Sequence, residues 1–180
     1  FMKAQLEQSG QAEKMSAEQR EQVIEQQAKF MPIFGWVGSI VGTVVTLAVI
    51  AGFFLFVYRF FYGGELTFGQ SLAVASWVLF AVGLVTTPLM LAVFALKGDW
   101  NLNPQEVVQA NLALLLDRST AAKPLWALLS SIDLFSIWTV FLLAVGYAAA
   151  ARRSLGSAIW GVVVPWLLIV LVKVGWAAIF

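Results

Sequence analysis

Asp133 and Lys173 are the residues of this chain whose charge most demands a chemical explanation, because each borders or interrupts a long apolar run. An ionic group at the depth of hydrocarbon is costly and is usually paired or given a task. Two tasks fit an acid and a base in such surroundings: an ion pair that clamps two helices, or a proton relay. A plainer reading stands beside them. Asp133 would cap its own helix, and Lys173 would extend its ammonium to the headgroups while its stem stays in the apolar layer. No third titratable partner is available from histidine or cysteine, because the chain has neither. That removes disulfides, thiolate clusters, histidine-ligated metals and Cys/His nucleophile pairs. No phosphate-cradling glycine loop and no strand–Ser–helix elbow is present. The expectation is a protein that is not an enzyme and carries no metal or cofactor.

The elements that hold these two residues are legible from composition. The chain has 180 residues, 61% hydrophobic and 12% charged, with a mean hydropathy of +0.85. Soluble domains carry about 25% charged residues, and a domain this small could not hide so much apolar surface from water. Lipid is therefore the expected solvent. A net charge of +1 gives no reason to expect nucleic acid as a partner.

Four stretches, uncharged except for Lys173 in the last, are long enough to cross a bilayer or nearly so. They are expected as spans over 33–58, 66–96, 134–151 and 155–178. The first, at about 1.5 Å per residue, reaches roughly 39 Å and crosses a ~30 Å hydrocarbon core with tilt. Residues 1–32 are rich in Gln, Glu, Ala and Lys, and the Ser16/Gln19 pair has the capping-box spacing. A solvated, extramembrane helix over about 16–30 is expected there. Between the second and third spans, Asn103-Pro104 and the spacing of Val107, Val108, Leu112, Leu115 and Leu116 predict an interfacial or re-entrant amphipathic helix over 104–117. A second short one is predicted over 124–132. The fold class is thus an all-α integral membrane protein, with 1–32 outside the membrane and 33–180 forming the transmembrane domain.

Counting outward from the Arg152–Ser157 turn puts Asp133 and Lys173 at nearly equal depth, which is what an ion pair between the third and fourth spans needs. Gly35, Gly38 and Gly42 lie on one face of the first span in a GxxxG-like pattern, and small residues let helices approach closely. Packing within the chain is the expectation. Pro88 and Pro165 each remove a backbone donor mid-span; they are read as kinks rather than as broken helices lining a cavity. Most of the eight tryptophans, among them Trp36, Trp77, Trp100, Trp126, Trp160 and Trp176, fall near expected span ends, as an aromatic belt requires.

The two faces of the membrane are here named the tail side (residues 1–32, 97–123 and the C-terminus) and the turn side (59–65 and 152–157). The tail side carries seven Lys and Arg residues spread over long segments. The turn side carries Arg59, Arg152 and Arg153 beside the bilayer. The positive-inside rule weighs charges close to span ends, so the raw count and the proximity argument disagree and charge alone leaves orientation open.

The stretch Asp133-Leu134-Phe135-Ser136-Ile137-Trp138, followed by an apolar span ending Ala-Val-Gly-Tyr, resembles the bacterial branch of the Yip family of Rab-interacting, multi-spanning membrane proteins. Leu66-Thr67-Phe68-Gly69-Gln70-Ser71-Leu72-Ala73 is similar to the start of that family's middle spans. The resemblance covers roughly 33–180. It implies five spans and a cytoplasmic N-terminus, so that four spans and a start at Phe1 fit a first span missing upstream. On that implication the arginines Arg59, Arg152 and Arg153 anchor the cytoplasmic side of a bacterial inner membrane, and the C-terminus lies outside. No catalytic residue carries over. The expected function is an adaptor or scaffold. The alternatives are an accessory subunit of a larger membrane assembly, such as an energy-converting or photosynthetic complex, and a small transporter. Expected partners are membrane lipids and other membrane proteins, with the oligomeric state open.

Overall fold

The computed structural model describes residues 16–98, 108, 110–117 and 120–179, and the side chains of the first helix chiefly from Gly35 onward. Among the described residues five α-helices are seen: α1 Ala17–Phe60, α2 Phe68–Lys97, α3 Lys123–Ser131, α4 Leu134–Ala150 and α5 Leu155–Ile179. No strand occurs among the described residues, apart from one isolated antiparallel bridge between Asn111 and Asp133. Gly35–Phe60 of α1, the whole of α2 and the whole of α5 are long and apolar enough to cross a membrane. The apolar helix α4 has 17 residues, about 25 Å at helical rise.

Local chemistry sets the helix ends. Ser16 accepts from the Gln19 amide at 3.2 Å while the Gln19 side chain accepts from the Ser16 amide at 3.0 Å, closing the expected capping box. Thr67 and Gln70 build a second one at the start of α2. There is no boundary at residue 32, however. The tail-side helix and the first span are one 44-residue helix, which runs on through Pro32 although that residue supplies no amide to the hydrogen-bond ladder. Gly98 ends α2 at φ +63°, where the absence of a Cβ removes the left-handed penalty.

The segment expected to be a helix over 104–117 is different in its described part. Residues Leu112–Leu115 form a single 3₁₀ turn. Its cause is long-range: the Leu112 amide donates to the Ile132 carbonyl and the Leu134 amide to the Ala110 carbonyl, so pairing with the start of α4 holds this stretch extended. Asn111 then caps the turn by accepting from the Ala113 amide at 3.1 Å. The Asn103-Pro104 cap lies outside the described residues, as does Trp100. The second short helix, α3, forms with Pro124 in its first turn.

In the bundle α1 packs on α2, α2 on α4, α4 on α5, and α3 on α5, while α1 meets α5 over a much smaller area. The buried core lies toward the turn side, in the last turns of α1 and α4 and the first turns of α5. On the tail side α1 stands clear of its neighbours: residues 35–46 are all exposed. The Gly35, Gly38 and Gly42 face therefore packs against nothing among the described residues. A Cβ built on any of the three meets no atom within 4 Å.

Candidate functional site

All three tyrosines of the chain gather at the turn side. Tyr58 ends the buried stripe of α1, Tyr62 follows one turn later, and Tyr147 ends the buried stripe of α4. The Tyr58 and Tyr147 rings are stacked with centroids 4.8 Å apart and planes 15° apart. Phe54 lies 4.8 Å from Tyr147. Aromatic pairs at such separations add about 0.5–1.5 kcal/mol beyond the area they bury.

The hydroxyls tie four helices together. Tyr58 donates to the Ala158 carbonyl of α5 at 2.6 Å. Ser71 of α2, fully buried, lies 2.7 Å from the Ala51 carbonyl of α1 and 2.9 Å from the Tyr147 hydroxyl of α4. Its single proton goes to the carbonyl, which cannot donate, so Tyr147 donates to Ser71 Oγ. No buried side-chain polar atom among the described residues lacks a partner, as a medium without water requires.

Two glycines make the approach possible. A Cβ on Gly161 would fall 2.9 Å from the Tyr58 ring, and one on Gly146 would fall 2.6 Å from Val74 Cγ1. Chemically the cluster is a clamp. Ser71 has no general base beside it, since its neighbours are a carbonyl and a phenol, so it lacks what nucleophilic activation needs. Among the described residues no three His, Cys, Asp or Glu side chains converge as a metal site would.

Asp133 and Lys173 do not form the expected ion pair. Asp133 accepts from the Phe135 amide at 2.7 Å, the Ser136 amide at 3.0 Å and the Ser136 hydroxyl at 2.5 Å, and so caps α4. Lys173 donates to Ser131 Oγ at 3.1 Å and Ser130 Oγ at 3.3 Å on α3. Equal depth is not enough: Lys173 is turned toward α3, away from the start of α4, and serines meet its ammonium instead of a carboxylate.

Arg59 in the last turn of α1 and Arg152 and Arg153 in the turn between α4 and α5 are all exposed on the turn side. Arg153 donates to the Tyr62 carbonyl. Arg152 has φ +51° and occupies the position after the α4 cap. There its amide bonds to the Ala149 carbonyl and that of Arg153 to the Ala148 carbonyl, the two-bond helix ending that usually uses glycine. Pro88 and Pro165 both lie inside continuous helices. Pro165 borders two apolar crevices, one of about 530 Å³ among α1, α4 and α5 and one of about 440 Å³ between α1 and α5. Trp160 and Trp176 are exposed near the ends of α5 and Trp36 near the start of the apolar part of α1, as a belt requires, but Trp77 is exposed nine residues into α2, at roughly 14 Å from its start.

Sequence reading missed Tyr58, Ser71 and Tyr147 as a unit. The signal available was positional: two tyrosines fall near the ends of apolar helices and a serine near the start of another, all on the turn side. The stretches that carried the family resemblance acquire physical roles here. Thr67 and Gln70 cap α2, Ser71 enters the clamp, Asp133 and Ser136 cap α4, and Gly146-Tyr147 supplies the close approach and the stack.

A family model described as the Yip1 domain matches residues 6–177. No curated protein and no solved structure matches the chain.

Proposed function

This chain belongs to the Yip family and is an integral membrane protein, and on that premise we propose that it is a non-enzymatic adaptor or scaffold that crosses the membrane four times. The observation that carries this reading is the bare tail-side half of the α1 span. Residues 35–46 are exposed although they are apolar and of span character, with Trp36 at 75% and Ile40 at 62%. The rest of the molecule is fastened by a clamp whose buried side-chain polar atoms all have partners. Helix association in membranes relies on close packing and small residues, and a bare helix side bearing Gly35, Gly38 and Gly42 is suited to another membrane protein. The fourth crossing is α4, which together with α5 fits a hairpin closed by the Arg152–Ser154 turn.

In this reading the turn side faces the cytoplasm of a bacterial inner membrane and the C-terminus lies outside. The support is the placement of Arg59, Arg152 and Arg153 within a turn of their helix ends, where positive charge weighs most. Reporter fusions at the C-terminus and in the 63–65 loop test it. Activity of a periplasm-dependent reporter at the loop would reverse the orientation.

Purification in mild detergent with mass spectrometry of co-migrating proteins tests the role. Substoichiometric partners captured only after cross-linking support the adaptor. A fixed stoichiometric set would transfer the chain to the accessory-subunit class.

A further inference from the structure

The geometry points to a binding site for one anionic phospholipid, its chain in the α1–α5 groove on the turn side and its phosphate among the arginines above. The groove is lined by Phe56, Phe61 and Tyr62 from the end of α1 and by Trp160, Val164 and Leu168 of α5, and has a volume of about 440 Å³. From Trp160 to Leu168 it runs about 12 Å along the helix, close to half of a ~30 Å hydrocarbon thickness. That is the depth one acyl chain occupies below its headgroup.

The upper end of this groove is charged. Tyr62 lines it, and the Tyr62 carbonyl accepts from Arg153. Arg153 also borders a second, polar cavity of about 360 Å³ together with Arg152, Gly63, Glu65 and Gln70. The linings of the apolar groove and the polar cavity thus adjoin in the chain at Tyr62 and Gly63, and Arg153 links them by bonding the Tyr62 carbonyl while bordering the polar cavity. A guanidinium has five N–H donors in a planar fork, so the bond to Tyr62 holds the group in place and leaves others for phosphate oxygens, the pairing at which arginine excels. Arg59 and Arg152 are exposed at the same level, and Glu65 is the one acid in these two turns. Three cations against a single anion select a lipid of net negative charge over a zwitterion. The site needs only the membrane embedding of the chain, so it stands or falls independently of the adaptor role.

Trp160 supplies the test. The full chain is reconstituted in phosphatidylcholine vesicles that contain a minority of lipid with brominated chains, either phosphatidylglycerol or phosphatidylcholine. The quenching assigned to Trp160 is the difference between wild type and Trp160→Phe. An arginine at an anionic surface favours binding by an amount equivalent to about five-fold in affinity, so the brominated phosphatidylglycerol should quench Trp160 at several-fold lower mole fraction. The preference should disappear in Arg152→Gln/Arg153→Gln. Equal quenching by both lipids, or a preference that survives the arginine substitutions, overturns the site. Should that variant fail to insert, the wild type decides by salt: the preference should shrink as ionic strength rises, and a preference indifferent to salt overturns the proposal.

Discussion

Ser71 and Tyr147 face each other across the α2–α4 contact with their oxygens 2.9 Å apart, and the serine passes its own proton on to the Ala51 carbonyl of α1. Three helices therefore share one short chain of hydrogen bonds, in which removing either hydroxyl disturbs the other.

Removing these hydroxyls should reveal that coupling. Ser71→Ala and Tyr147→Phe are each expected to lower stability by about 1 kcal/mol. The double variant should lose less than the two added together, since residues in one hydrogen-bond network couple. Unfolding by a denaturing detergent from mild detergent micelles measures all three. Strict additivity would show that the two oxygens act alone.

The glycines divide by what lies opposite them. Gly161→Ala and Gly146→Ala force a Cβ against the Tyr58 ring and against the stiff Val74 side chain and should each cost about 1–3 kcal/mol. Gly38→Ala places its methyl in open space and should leave stability unchanged. The same unfolding assay ranks them, and a Gly38→Ala loss equal to that of Gly161→Ala would contradict the packing described.

Arg152 holds a left-handed backbone that costs an L-residue about 1–2 kcal/mol. Arg152→Gly should raise stability by about 1 kcal/mol, whereas Arg152→Ala should bring no relief because a Cβ remains. Thermal unfolding in detergent distinguishes them.

Asp133 and Lys173 should behave as strangers. Asp133→Ala removes the cap of α4 and should cost about 1 kcal/mol, with Asp133→Asn largely rescuing it. Lys173→Met should add its own smaller effect, additively with Asp133→Ala to within about 0.5 kcal/mol. Lys173→Met and Ser131→Ala should instead be coupled. A double-mutant cycle on each pair measures this, and strong coupling in the first would restore the ion pair.

Much of this could be read from residues alone, and the reasons for the failures are physical. Span ends were legible because Arg59, Lys97 and Arg152 cannot sit in hydrocarbon, and the ends of α2, α4 and α5 lie within two residues of the expected positions. The Ser16 cap was legible because its partner is three residues away. The 3₁₀ turn at Leu112–Leu115 was not, since its cause is pairing with residues 132–134. Depth along a helix follows from counting, and Lys173 reaches Ser131, two residues before Asp133. The direction in which each helix turns its side chains depends on how α3 and α5 dock, which counting does not give. The clamp escaped for the same reason: Tyr58, Ser71 and Tyr147 are ordinary as single residues and meaningful only once three helices bring them together.

The confinement of tight packing to the turn side also bears on the bilayer itself. On that side the clamp draws four helices together around the lipid groove between α1 and α5; on the other, the described part of α1 stands out as a rod with its apolar side bare. The two leaflets thus accommodate unequal cross-sections of the same protein, and a membrane crowded with copies would carry more area in one monolayer than in the other, the condition under which a flat sheet bends.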